Sequence, residues 1–82
     1  MRFVQEIPHP QFRISLYAWN SKYIVKIEAG AYEQTYKISE LDLSSPDALP
    51  LMMDGVFLNR VAQRFQEMHA DWQEAGERHG EF

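Results

Sequence analysis

The residues best suited to move a proton or hold a metal ion near neutral pH are His9, His69 and His79. No two of them sit at ligand spacing on one element, and no HExxH-like pattern surrounds them. His69 borders an apolar helical stripe and reads as a boundary residue bonded to a neighbour. The chain has no cysteine, which excludes thiolate nucleophiles, Cys-based zinc sites and disulfides. Ser44 and Ser45 lie in an acidic loop without a Gly-x-Ser-x-Gly elbow, and read as turn and cap residues. Glu40 and Asp42 fall on the same loop; Glu67 and Asp71 share a solvated helix face. Acid–base catalysis needs two carboxyl groups in different, partly dry surroundings, and neither pair has them. Gly30, Gly55, Gly76 and Gly80 are scattered and form no phosphate-cradling loop. The expectation is a non-enzymatic protein without catalytic, cofactor-binding or metal-binding residues.

A different chemistry is offered by aromatic and basic side chains, with one aliphatic, at alternate positions: Tyr17, Trp19, Lys22, Ile24 and Lys26. Whether they form a surface depends on strand parity. From Phe12 to Trp19, Phe12, Ile14, Leu16 and Ala18 fall on one face, and Arg13, Ser15, Tyr17 and Trp19 on the other. Asn20-Ser21 supplies a two-residue turn. From Lys22 to Ala29 the alternation resumes, with Tyr23, Val25, Ile27 and Ala29 inward. A loop at Asn20-Ser21 pairs Trp19 with Lys22, Leu16 with Val25, Ile14 with Ile27 and Arg13 with Glu28, so apolar meets apolar. Gly30 marks the second turn. A loop at Ala29-Gly30 sets Lys26 against Glu33, whereas one at Gly30-Ala31 sets Glu28 against Glu33; charge favours the first. Either puts Tyr32, Gln34, Tyr36 and Ile38 on the Val25 face.

Beyond Ile38 the period changes. Residues 40–53 form a connection in which Leu41, Leu43, Leu49, Leu51 and Met52 are expected to reach the core. Ser45-Pro46-Asp47 looks like the cap and first turn of a short helix limited by Pro50. Asp54 is a suitable N-cap for a long helix. Phe57, Val61, Phe65, Met68, Trp72 and Ala75 form its apolar stripe, widened by Leu58, Ala62 and His69. Glu74 and Arg78 are spaced for an i,i+4 ion pair.

The 82 residues make one α+β domain: a three-stranded antiparallel meander, with a fourth strand if the N-terminus joins it, packed on one face by a long C-terminal helix. The parts are an arm or edge strand (1–11), the meander (12–38), a connection with a short helical turn (39–53), the main helix (54–78) and a fraying tail (79–82). A helix over 55–75 spans about 31 Å, whereas an eight-residue strand spans roughly 26 Å. The Met68 and Trp72 end therefore overhangs the sheet, and a second copy of the chain is the simplest cover for it.

Net charge is −4, which argues against nucleic acid as the main partner, yet the meander is mildly basic: Arg13, Lys22, Lys26 and Lys37 against Glu28 and Glu33. No run approaches membrane-spanning length and the N-terminus lacks a signal-peptide core; the expectation is a soluble cytoplasmic protein. The segments WNSKYIVKIEAG and EQTYKISELD, followed by the Phe/Val/Phe/Met helix, resemble a group of short bacterial proteins of unassigned function. The resemblance spans roughly residues 12–72; it implies the meander-plus-helix fold and carries no catalytic residues. The functional expectation is a small protein-interaction module, its candidate surfaces being Tyr17, Trp19, Lys22, Ile24 and Lys26 on the sheet and Met68 and Trp72 on the helix, acting as a homodimer with a further protein partner. The alternative is a module that stacks single-stranded nucleic acid on the same sheet face.

Overall fold

A computed structural model describes residues 1–82. It contains β1 (Arg2–Ile7), β2 (Arg13–Trp19), β3 (Lys22–Ala29), β4 (Tyr32–Ser39), a 3₁₀ turn (Glu40–Asp42), α1 (Ala48–Met52) and α2 (Gly55–Arg78). The strands form one antiparallel sheet in the order β1-β2-β3-β4. The fold is thus the α+β meander with its covering helix, and the N-terminal residues supply the fourth strand.

The first hairpin has the register that the alternation demands, from Trp19 opposite Lys22 to Arg13 opposite Glu28. Asn20 and Ser21 both adopt left-handed backbone, with φ of 54° and 60°, as a type I′ turn requires. The second hairpin corrects the charge-based choice. Its loop is Gly30-Ala31, so Ala29 pairs with Tyr32 and Glu28 faces Glu33. Gly30 has φ of +59°, the conformation that glycine supplies at the first loop position of a two-residue hairpin. A loop at Ala29-Gly30 would demand it of an alanine. Repulsion between two carboxylates at the sheet margin costs a few tenths of a kcal/mol, less than the roughly 1–2 kcal/mol of a left-handed β-carbon. Arg13 also departs from expectation: although its register partner is Glu28, its guanidinium meets Glu6 of β1 at 3.5 Å, and both side chains are exposed.

The core lies between the sheet and α2. Ile14, Leu16, Val25 and Ile27 from the sheet meet Leu49, Leu58, Val61 and Phe65. Asp54 caps α2, its Oδ1 accepting from the Phe57 N–H at 2.9 Å. Gln34, on the core face of β4, donates from Nε2 to the Val61 carbonyl at 2.9 Å, while its buried Oε1 has no partner.

The connection corrects four further expectations. Leu43 and Leu49 reach the core, but Leu41 is 94% exposed and Leu51 and Met52 also face solvent. The 3₁₀ turn, capped by the Ser39 hydroxyl accepting from Leu41 N–H, swings Leu41 outward. In α1 only Leu49 of the five residues is buried. Pro50 does not limit this helix but sits in its first turn, where no intrahelical N–H bond is lost. Ser45 acts in the turn before it, its hydroxyl accepting from Asp47 N–H.

The end of α2 is closed rather than frayed. His79 caps the helix, Gly80 turns left-handed with φ of +72°, Gly80 N–H donates to Glu77 O, and Glu81 N–H donates to Gly76 O at 2.8 Å. These are the two bonds of a Schellman motif. The ring of Phe82 then folds onto Gly76, where a β-carbon would collide with it. Glu74 and Arg78 do not close into an ion pair; the Arg13–Glu6 contact is the only one within 4 Å.

Two substitutions check the local forces. Asp54→Ala should cost about 1 kcal/mol through loss of the cap. Ser21→Gly should stabilise by roughly 1 kcal/mol by relieving a left-handed β-carbon. For a domain of this size each corresponds to a shift of about 4–8 °C in thermal midpoint, of opposite sign.

Candidate interaction surface

The outer sheet face is built by the odd-numbered residues of β2 and β4 and the even-numbered residues of β3. Its rows follow the register: Arg13, Glu28 and Glu33; then Glu6, Ser15, Lys26 and Thr35; then Phe3, Tyr17, Ile24 and Lys37; then Trp19, Lys22 and Ser39. Acidic side chains gather at one end. Phe3, Tyr17 and Trp19 share the other end with Lys22 and Lys37, and Lys26, in the row beside them, reaches over Tyr17.

Phe3 owes its place to a bulge. The β1–β2 register shifts between Phe3 and Gln5, leaving Val4 as the extra residue. Ile7 pairs with Ile14 on the core side, yet Phe3 pairs with Tyr17 on the outer side. Without the extra residue these two odd positions would share a face. The Phe3 and Tyr17 rings meet edge to face at 5.7 Å, and Lys26 Nζ lies over the Tyr17 ring at 5.4 Å. Residues 2–7 extend the sheet in its plane and do not lie over this face. Phe3 and Trp19 remain 56% and 57% exposed.

Ile24 corrects the expected surface: it is 5% exposed. It stands at the centre of the outer face, between Tyr17 of β2 and Lys37 of β4. Ser15, between Glu6 and Lys26, is buried in the same way. Phe3 was not among the sequence candidates, because alternation alone cannot place a residue beyond a bulge.

At the far end of α2, Met68 is half-buried against the core, and Trp72 is 61% exposed. With 24 residues the helix runs about 36 Å, and the molecule is 48 Å long. Met68 thus does not overhang; the exposed apolar residue is Trp72, and the chain partly covers it itself: Phe82 meets Trp72 at 6.1 Å.

The histidines are separate from one another. His9 stacks on Phe12 at 4.7 Å, and its Nδ1 accepts from the N–H groups of Gln11 and Phe12, both at 3.1 Å, which fixes the corner between β1 and β2. His69 Nδ1 lies 2.9 Å from the Tyr32 hydroxyl, the neighbour bond expected of a boundary residue. His79 caps α2 through its backbone. No three side chains of His, Asp or Glu converge as a metal site. No helix is long and apolar enough to cross a membrane.

No protein-family model, curated protein or solved structure matches the chain.

The division between surface and support on this face is measurable. Trp19→Ala should change stability by no more than about 1 kcal/mol, whereas Ile24→Ala should cost about 2–4 kcal/mol, both read by denaturant unfolding.

Proposed function

We propose that this protein is a non-enzymatic binding module whose outer sheet face docks an acidic segment of a partner protein. One observation supports the reading above the others: Phe3, Tyr17 and Trp19 lie beside Lys22, Lys26 and Lys37 on a face that no element of the chain covers. Exposed aromatics anchor protein interfaces, and the lysines favour a carboxylate-rich partner.

Single-stranded nucleic acid fits the face less well. Stacking needs free ring faces, and the Tyr17 ring is already engaged by Phe3 and Lys26. A polyanion tracking the sheet would also run into Glu6, Glu28 and Glu33, on a chain of net charge −4.

The test is affinity capture from cell extract with wild-type protein, a Trp19→Ala/Lys26→Glu variant and a Trp72→Ala variant, beside salt-dependent titration with oligothymidine. Wild type and Trp72→Ala should retain the same protein, and the double variant should lose it. Equal retention by the double variant sinks the reading. Tight oligothymidine binding that falls steeply with salt and vanishes in the double variant assigns the face to nucleic acid instead.

A further inference from the structure

The two sheet edges differ in kind. β1 is short, bulged at Val4 and followed by Pro8 and Pro10; such devices stop an edge from recruiting another strand. β4 has none of them. Its eight residues pair with β3 without a shift from Tyr32 to Ser39 and include no proline.

The ladder shows which backbone groups β4 leaves unpaired. In an antiparallel pair the hydrogen-bonded residues alternate. The two-residue loop closes on the Ala29–Tyr32 pair, and past the strand Glu40 N–H donates to Ser21 O at 3.1 Å. Even-numbered residues of β4 therefore bond to β3. Glu33, Thr35 and Lys37 turn their N–H and C=O groups outward. None of the backbone bonds outside helices and sheet reaches these three residues.

From this arrangement we infer that a second copy of the chain adds to β4, antiparallel and centred on Thr35. Pairing the outward groups of two copies requires odd-numbered residues to face odd-numbered ones. With Thr35 opposite Thr35 of the second copy, Glu33 faces Lys37 and Lys37 faces Glu33. The two-fold axis repeats each ion pair, and the strands overlap over their length from Tyr32 to Ile38. On the core face Tyr32 meets Ile38 and Gln34 meets Tyr36. Opposite charges and paired threonines are favourable cross-strand partners.

Other allowed registers lose this match. A shift by two sets Glu33 against Thr35 or Ser39. A shift by four sets Glu33 against Glu33, or Lys37 against Lys37. In the monomer the Glu33 carboxylate already lies over Thr35, accepting from its hydroxyl at 2.6 Å. The helix also leaves room at this margin. Tyr32, Gln34, Tyr36 and Ile38 stay half-buried, whereas Ile14, Leu16, Val25 and Ile27 are sealed. The product is an isologous dimer with one continuous eight-stranded sheet, both helices on one face and two copies of the aromatic–lysine surface on the other.

Sedimentation equilibrium or light scattering across a concentration series tests the inference. Wild type should dimerise. Lys37→Glu and Glu33→Lys should each weaken the dimer by roughly tenfold or more, because two pairs become like-charged, and the Glu33→Lys/Lys37→Glu double variant should restore it. Thr35→Pro should abolish the dimer and leave the monomer folded by circular dichroism, since that N–H serves no bond to β3. In wild type, the Glu33, Thr35 and Lys37 amides should gain hydrogen-exchange protection as concentration rises. A wild type that stays monomeric throughout overturns the proposal. So does a dimer indifferent to the charge swaps and lost instead in Trp72→Ala, which would place the second copy at the helix end.

Discussion

The left-handed turn at Asn20-Ser21 holds the register on which the rest of the structure depends. Two residues with positive φ fix Trp19 opposite Lys22, and every later pairing in the hairpin follows. Because the strand period is two, a slip by one residue would exchange the two faces. Ile14, Leu16, Val25 and Ile27 would turn to solvent, and Tyr17 and Lys26 would be forced beneath α2. The hydrophobic core and the exposed aromatic face are thus two consequences of one constraint.

Little else in so small a domain is independent of that constraint. The helix binds the face the turn selects. Its cap at Asp54 sets its start, and Leu49 closes one end of the core. At the other end Phe12 links His9 to Phe65, with ring distances of 4.7 and 5.4 Å. The β1–β2 corner is thereby tied to the helix through a stack of rings rather than through ion pairs. The single ion pair is exposed and adds little.

Features set by periodicity were legible in the sequence. Parity, the first register, the helix with its Asp54 cap and the bonded state of His69 all follow from spacing and residue type. Features decided by a competition between small terms were not. Charge pointed to a loop at Ala29-Gly30, but the backbone demand met by Gly30 outweighed two repelling carboxylates. Leu41, Leu51 and Met52 look like core residues by type, yet a 3₁₀ turn and a five-residue helix aim them outward. Phe3 was hidden by a bulge, which no alternation pattern announces. On the candidate surface, Tyr17, Trp19, Lys22 and Lys26 were legible as one outer face. The burial of Ile24 was not, because parity puts it on the outer face while its place on a central strand, flanked on both sides, goes with burial.

The closed end of α2 has an effect on the exterior of the molecule. Phe82 occupies the space that any β-carbon at position 76 would need, and from there it leans on the indole one helical turn away. Any side chain at that position would displace the ring and uncover the rest of the already exposed tryptophan. The apolar area this tip offers is therefore set by a glycine outside the core, and it can change without any adjustment to the folded interior.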